Sequence, residues 1–279
     1  MADELPDDFI AEIRQAMTEE KPDSFLLGEV WEDASNKIAY SQRRRYLLGD
    51  ELGGVMNYPF RTAALAYLRG GDAADFREAM EQLRENYPRN AYYSALNSLG
   101  THDTPRILTV LGADCVPESR DDRAAYTLSP AEFSRGLARL RLGAMLLYCF
   151  PGSPCLFYGD EAGLQGFEDP FNRCTYPWGN ENDSLLGFFR TLGALRQNRS
   201  SLQNGDIRYL AVSGGLLVLE RRLADEITVC ALNAGDTPQA LELPWQSSVA
   251  EDAASHQKFL LSEHILRLTL PPCSGAILI

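Results

Sequence analysis

Short apolar runs alternate with segments of helical spacing over the first two-thirds of the chain. The run 24–28 is apolar on both faces, which is typical of a parallel strand covered by helices. Three further runs predict strands at 55–58, 92–99 and 154–158. Apolar residues at helical spacing predict helices near 9–17, 61–69, 73–86, 133–148 and 185–195. This alternation predicts a parallel sheet, either open or closed into a barrel.

One helix start is marked especially clearly. The string Ser129-Pro130-Ala131-Glu132 is a capping box with proline at the first helical position. We therefore expect the helix over 133–148 to begin at Pro130.

The pattern changes near Ser200-Ser201. Short β-type runs, separated by turn residues, follow at 207–212, 216–220, 227–232, 240–243, 265–270 and 276–279. We therefore predict a strand–helix domain over 1–199 and a small, all-β antiparallel domain of sandwich-like form over 200–279.

Composition excludes several classes of protein. The chain has 279 residues, of which 45% are hydrophobic and 23% charged, so it is not wholly disordered. Lys and Arg number 26 and Asp and Glu 39, giving a net charge of −13 that disfavours nucleic acid as a partner. The sequence has no apolar run of the roughly 18 residues that a membrane helix needs, and its start does not read as a secretory signal.

Cysteine and histidine do not predict a metal site. The six cysteines form no CxxC pair and are interpreted as unpaired thiols in a reducing compartment. The three histidines lie too far apart in sequence for a local zinc motif. No metal or cofactor is therefore expected.

The chemically interesting residues follow the predicted strands, whose carboxyl ends form the ligand-binding face of parallel α/β folds. Glu29 follows the first strand and lies next but one to Trp31. A carboxyl beside a large aromatic ring suits a general acid. A salt-bridged glutamate at a strand end would give the same pattern.

A second cluster, Thr101-His102-Asp103-Thr104-Pro105-Arg106, follows the third strand. Its carboxylate could stabilise a cationic transition state or bind sugar hydroxyls. An aspartate that caps a helix opened by Pro105 is the structural alternative.

A third cluster follows the last of these strands and combines Gly159-Asp160-Glu161 with the loop 166–173. Aromatic faces and carboxylates suit sugar rings, which stack on one face and hydrogen-bond at their edges. An Asp169–Arg173 ion pair in a structural loop is the alternative. Carboxylates on neighbouring strand ends suggest glycoside hydrolysis, although other two-carboxylate chemistries fit the same pattern.

Taken together, these strings resemble a known family. GEVWEDAS, NSLGTHDTPR and GSPCLFYGDEAGLQGFEDPFNRCTYPWG are similar to motifs of the α-amylase superfamily of retaining glycoside hydrolases, within the neopullulanase, cyclomaltodextrinase and maltogenic amylase group. The resemblance implies a (β/α)₈ TIM barrel with its site at the carboxyl ends of the strands, and an α-glucan substrate with α-1,4 and in some cases α-1,6 links. It also favours a cytoplasmic location.

The resemblance assigns roles to single residues. It implies that Glu29 is the general acid/base and Asp103 the transition-state stabiliser. His102, Trp31, Tyr58, Asp169 and Arg173 are the substrate-binding residues that it implies. Glu32 stands where this group often has histidine, and Thr101 where serine is usual. Neither difference removes a catalytic group.

The start of the chain departs from the family pattern. The family's fourth-strand motif reads like RLDVADE, in which the first aspartate is the covalent nucleophile, and this chain begins Met1-Ala2-Asp3-Glu4. Asp3 and Glu4 therefore match flanking residues, and the sequence predicts only the C-terminal half of a barrel, strands five to eight. We expect this chain to be inactive alone and to self-associate or bind a missing N-terminal half. A non-catalytic glucan-binding or interaction module and one half of a split enzyme are the alternatives.

Overall fold

The computed structural model describes residues 2–261 and 263–279. Its helices are α1 (Asp7–Glu20), α2 (Tyr58–Leu68), α3 (Ala73–Asn86), α4 (Arg89–Ser94), α5 (Ile107–Gly112), α6 (Arg120–Ala125), α7 (Pro130–Cys149), α8 (Asp183–Asn198) and α9 (Ser200–Asn204). Its strands are β1 (Leu27–Gly28), β2 (Ile38–Ala39), β3 (Gln42–Arg43), β4 (Gly54–Val55), β5 (Leu96–Ser98), β6 (Ser153–Cys155), β7 (Asp206–Ser213), β8 (Leu216–Leu223), β9 (Glu226–Asn233), β10 (Gln239–Pro244), β11 (Val249–Glu251), β12 (Lys258–Leu260), β13 (Ile265–Leu270) and β14 (Ser274–Leu278). Within these residues, no helix is both long and apolar enough to cross a membrane.

The four predicted strands of the first part form a short parallel array. β1 pairs with β4, a parallel bridge joins Met56 to Leu96, and β5 pairs with β6. These four strands therefore lie side by side in the order of the chain; the β2–β3 hairpin connects β1 to β4, and helices connect β4 to β5 and β5 to β6. Each strand is shorter than its apolar run predicts.

The predicted strand 92–99 is wrong over its first three residues, which belong to α4. Tyr92 and Tyr93 favour strands by propensity. Here Pro88 precedes the helix, and the buried Tyr92 ring packs edge-on against Phe150 at a centroid distance of 6.5 Å. Packing against the core therefore overrides the local preference of these residues.

The predicted capping box at the start of α7 is confirmed. The Ser129 hydroxyl accepts a hydrogen bond from the Glu132 amide, and the Glu132 carboxylate accepts one from the Ser129 amide at 2.8 Å. The same carboxylate also accepts the Tyr126 hydroxyl and the Asp114 amide, and these hydrogen bonds lower the pKa of Glu132 to about 2. An N-cap of this kind contributes about 1 kcal/mol to helix stability.

The β-rich part is built on one antiparallel sheet. Its order is β14-β9-β8-β7, and the pairs β10–β13 and β11–β12 lie beside it. The apolar runs predicted at 207–212, 216–220, 227–232, 240–243, 265–270 and 276–279 all fall within strands or their immediate ends. Because strand residues alternate in direction, the sheet presents two apolar faces.

One face of this sheet shares a core with the strand–helix part. Leu217, Leu219 and Leu232 lie in the same buried cluster as the residues of α2, α3 and α7. The other face, with Val218 and Val229, belongs to a second cluster formed with β10 and β13. The strand–helix elements are thus fixed against the sheet by apolar packing.

A fully buried arginine strengthens that junction. Arg221 on β8 donates hydrogen bonds to the carbonyl of Cys149 at the end of α7 and to the carbonyl of Gly205. Burial lowers the pKa of Arg221 to about 10, so the side chain stays protonated at neutral pH. The guanidinium therefore satisfies two buried carbonyl groups that would otherwise lack a partner.

Candidate active site

The residues predicted for the site lie at the carboxyl ends of the parallel strands. Glu29 directly follows β1, and Tyr58 opens α2 three residues after β4. His102 and Asp103 lie in the loop after β5, and the loop that follows β6 carries Asp169 and Arg173. Because adjacent parallel strands end on the same edge, these side chains converge on one face of the array.

Glu29, Trp31 and Tyr58 form the first of two contacting clusters. The Tyr58 hydroxyl donates to Glu29 Oε1 at 3.3 Å, and the Trp31 and Tyr58 rings stack with centroids 4.0 Å apart and planes inclined by 14°. Tyr58 is 4% exposed, whereas Trp31 is 37% exposed. The indole thus offers an accessible apolar surface beside the carboxyl group.

Tyr58 is the residue at which the two clusters meet. Burial raises the pKa of its hydroxyl, and the negative charges of Glu29 and Asp103 raise it further, against a hydrogen bond with Thr101 that lowers it. The hydroxyl therefore remains a proton donor to Glu29 at neutral pH.

Asp103, His102, Asp169 and Arg173 form the second cluster. Arg173 Nη2 lies 3.2 Å from Asp103 Oδ1 and 3.1 Å from Asp169 Oδ2, so one guanidinium joins both carboxylates. His102 Nε2 lies 3.2 Å from the other oxygen of Asp103. All four side chains are partly exposed to solvent, with Asp103 at 39%. The structure therefore brings together every predicted site residue in one of these two clusters.

Buried asparagines hold the first cluster in place. Asn57 caps α2 by accepting the Phe60 amide at 3.1 Å, and its amide group donates to Asn97 Oδ1 at 2.9 Å. Asn97 in turn donates to the carbonyl of Pro151 at 2.7 Å. This network fixes the start of α2, where Tyr58 lies, against β5 and the entry to β6. The sequence alone does not indicate these asparagines, because their partners lie 40 and 54 residues away in the chain.

Another buried asparagine anchors the second cluster. Asn172, which is 0% exposed, donates to the carbonyls of His102 and Thr104 at 2.7 and 2.8 Å. Thr104 also accepts the Thr101 amide through its hydroxyl at 2.9 Å. The loop that carries His102 and Asp103 is thus held both internally and by the neighbouring loop.

A buried ion pair lies beneath this loop. Arg106 is fully buried, lies 3.2 Å from Asp160 Oδ1 through Nη1, and also donates to the carbonyl of Tyr158. Its guanidinium lies over the Phe157 and Tyr158 rings, 4.2 and 4.6 Å from their centroids. Burial raises the pKa of Asp160, and the charge of Arg106 opposes that shift. The pair connects the loops after β5 and β6.

The arrangement provides groups for acid–base chemistry and sugar binding. The described residues contain no group of three His, Cys, Asp or Glu side chains placed to hold a metal ion. They do contain a carboxyl beside a tyrosine donor and a second carboxylate beside a cation. General acid catalysis needs the first of these, and stabilisation of a positive reaction centre needs the second.

Comparison with known proteins agrees with this geometry. The family model of the alpha amylase catalytic domain matches residues 4–203. An amylopullulanase of Thermoanaerobacter thermohydrosulfuricus is 31% identical over 306 residues, covering all of this chain and 20% of the relative. A cyclomaltodextrinase of Geobacillus thermopakistaniensis is 30% identical over 280 residues, covering 98% of this chain and 42% of the relative.

The fold is also similar to that of solved structures. A debranching enzyme of Nostoc punctiforme, in crystals soaked with acarbose, superposes with a TM-score of 0.74 at 27% identity over 97% of this chain and 53% of that one. The chain spans less than half the length of the two curated relatives above. Since the family model covers well over half of its residues, this chain belongs to the alpha-amylase family.

Proposed function

We propose that the chain carries the proton-donating and charge-stabilising part of a retaining α-glucan hydrolase site. The observation that carries this proposal is the pair of contacts at the strand ends, in which Tyr58 donates to Glu29 at 3.3 Å while Arg173 and His102 each lie 3.2 Å from an oxygen of Asp103. In this proposal Glu29 is the general acid/base and Asp103 stabilises the oxocarbenium-like transition state. The substrates are α-1,4-linked and α-1,6-linked glucans such as maltodextrins, pullulan or cyclodextrins.

Glu29 protonates the leaving glycosidic oxygen in the first step and deprotonates water in the second. The hydrogen bond from Tyr58 restricts the rotamer of Glu29, so that its proton is delivered along one direction. Trp31, stacked on Tyr58, supports the leaving sugar from below.

Asp103 acts through its charge. Arg173 and His102 contact its two oxygens and orient the carboxylate, which stabilises positive charge at the anomeric carbon. Asp169 and Arg173 bind hydroxyl groups of the sugar on the non-reducing side. The substrate therefore competes with the Arg173 ion pairs when it binds.

A retaining mechanism also needs a carboxylate that bonds to the anomeric carbon. The family resemblance places that nucleophile on a strand before Asp3, so we propose that the 279-residue polypeptide is inactive alone.

We further propose that residues 1–199 form half of a (β/α)₈ barrel and 200–279 a separate β domain. In the described array β1 pairs only with β4 and β6 only with β5, which leaves two edges for a missing N-terminal half or a second copy.

A cytoplasmic location is part of the same proposal. All six cysteines are free thiols in the described chain, and two of them, Cys115 and Cys174, are exposed. Exposed thiols persist in a reducing compartment.

A second candidate function is a non-catalytic glucan-binding module. It is favoured by the ion pair between Arg173 and Asp103, which partly neutralises the carboxylate that would act as stabiliser. In that case the chain binds glucans but does not hydrolyse them.

Complementation of activity distinguishes the two functions. The chain is mixed with the N-terminal half of a cyclomaltodextrinase barrel, and release of reducing ends from maltoheptaose is followed. We expect hydrolysis by the mixture, none by either half, and loss of hydrolysis with Glu29→Gln. Glu32→Gln, on an exposed neighbour, is the matched control and keeps activity. Hydrolysis by the chain alone that survives Glu29→Gln would contradict the proposal.

A further inference from the structure

A cavity of about 840 Å³ lies in the β-rich part, away from Glu29 and Asp103. It opens between the β10–β13 pair and the face of the four-stranded sheet that carries Val229. The segment after β10 forms one wall. Small-molecule sites in proteins commonly measure about 300–1,000 Å³. The cavity is therefore large enough for an extended ligand.

The cavity has an apolar floor and an aromatic wall. Leu210, Ile227 and Val229 line the floor, and Leu243 and Trp245 line the wall. The Trp245 backbone amide donates to the carbonyl of His264 at 2.8 Å, and its indole packs against the apolar cluster between the sheet and the β10–β13 pair. A fixed indole beside aliphatic side chains provides a surface on which the apolar face of a sugar ring packs.

The polar residues around the floor are largely fixed by their own pairs. Arg222 forms two parallel hydrogen bonds with the buried Glu220, at 3.0 and 3.1 Å. Arg199 donates to the carbonyl of Ile227 at 2.6 Å and lies 3.7 Å from Glu226. These side chains present guanidinium and carboxylate edges in fixed orientations, and such edges hydrogen-bond to vicinal hydroxyl groups.

Arg208 differs from these two arginines. It is exposed and lines the cavity, and its side chain makes no hydrogen bond or ion pair with any residue in 2–261 or 263–279. Its five N–H donors are therefore available to a ligand.

The charge balance disfavours an anionic ligand. Of the described residues that line the cavity, three are arginines and four are acidic, Glu220, Asp225, Glu226 and Glu242. A phosphate or other anion would meet more negative than positive charge, whereas an uncharged polyol would not be repelled.

We propose that this cavity is a second glucan-binding site, with Trp245 as its stacking residue and Arg208 as its free hydrogen-bond donor. The choice of an α-1,4-glucan as the ligand rests on the proposed function. A glucan bound at both sites would be held on the protein at two points, which increases the effective concentration of the glucan at the proposed catalytic cleft.

The three tryptophans of the chain, Trp31, Trp178 and Trp245, allow the two sites to be observed separately. The full chain is labelled with 5-fluorotryptophan, and each fluorine resonance is assigned with the corresponding Trp→Phe variant. Maltoheptaose is then titrated. We expect a saturable shift of the Trp245 resonance, and Arg208→Ala weakens that titration about tenfold while leaving the Trp31 response unchanged. Because the Arg208 side chain contacts no partner among the described residues, this variant is expected to remain folded.

Each outcome bears on one proposal or the other. A Trp245 resonance that does not move at saturating maltoheptaose overturns the second site, whatever Trp31 does. A shift at Trp245 without one at Trp31 supports the second site and counts against the proposed catalytic cleft. A shift at Trp245 with inorganic phosphate but not with maltoheptaose overturns the assignment of a neutral ligand.

Discussion

Arg173 Nη2 lies 3.2 Å from Asp103 Oδ1, although 70 residues separate the two in sequence. The contact joins the loops that follow β5 and β6 and brings the candidate stabiliser to the residue proposed to bind sugar. The same guanidinium contacts Asp169. The single guanidinium of Arg173 therefore contacts both carboxylates of the second cluster.

Arg173→Ala is expected to weaken sugar binding more than it affects folding. Exposed ion pairs contribute about 0–1 kcal/mol to stability, so the free energy of unfolding should change by no more than about 1 kcal/mol. A lost charged hydrogen bond to a sugar hydroxyl should lower acarbose affinity roughly tenfold. Calorimetric titration with acarbose and urea unfolding measure the two effects. An unchanged acarbose affinity would remove Arg173 from the proposed site.

Tyr58→Phe separates the hydrogen bond to Glu29 from the stack on Trp31. The phenyl ring still stacks on Trp31, so the affinity for maltotriose should change less than twofold. Tryptophan fluorescence measures this affinity. Turnover by the complemented enzyme should fall about tenfold because Glu29 loses its orienting donor. Tyr58→Leu, which also removes the stack, should lower both. Full turnover in Tyr58→Phe would show that the Glu29 contact has no role.

Asn172→Ala should loosen the loop that carries His102 and Asp103. The substitution leaves the carbonyls of His102 and Thr104 without their buried donor, which costs about 1–3 kcal/mol in unfolding free energy for each unsatisfied group. Urea denaturation measures the loss, and the proton resonances of the His102 imidazole report the conformation of the loop. A variant as stable as the wild type would mean that other donors satisfy these carbonyls.

Glu51 should make stability depend on pH. Its side chain is 0% exposed, its carboxylate oxygens accept no hydrogen bond from any described residue, and burial raises its pKa to about 7. Because the folded state holds the proton more tightly than the unfolded chain, this group contributes stability that is complete below pH 4.5 and lost as the pH rises through 7. Arg45, 3.5 Å away, opposes the shift.

Glu51→Gln removes this titration. The variant should be more stable than the wild type by about 1–3 kcal/mol at pH 8, and the difference should vanish near pH 4.5. Urea midpoints at both pH values measure it. Asp50→Asn, on the exposed neighbour, is the control whose effect should not follow this profile. A pH-independent difference for Glu51→Gln would mean that the pKa of Glu51 is the same in the folded and unfolded states.

Apolar runs predict which segments pair as strands because burial on both faces requires unbroken apolar sequence. They do not predict strand length. The run 24–28 yields strand pairing only at Leu27–Gly28, because the Phe25 side chain packs over Gly53 and Gly54 instead of extending the strand. The helical residues 89–94 escape prediction for a similar reason, since Tyr92 is fixed by contact with Phe150 more than 50 residues away.

The sequence predicts the charged residues of the candidate site but not the residues that hold them in place. Glu29 and Asp103 are indicated by their position after apolar strands, which the local sequence is enough to recognise. The hydrogen bonds of Asn97 and Asn172 join positions 40–70 residues apart, and no local pattern specifies such pairs. The roles of these asparagines emerge only from the tertiary arrangement.

In the proposed function, Glu29 and Asp103 supply two functions of a three-carboxylate site, and neither of them bonds to the sugar. The most direct measurement is intact-protein mass spectrometry after incubation with 5-fluoro-α-glucosyl fluoride, for the chain alone and for the mixture with a cyclomaltodextrinase N-terminal half. We expect this polypeptide to keep its unmodified mass in both samples, with the added mass on the partner half in the mixture. A covalent glucosyl adduct on a carboxylate of this chain would contradict the account.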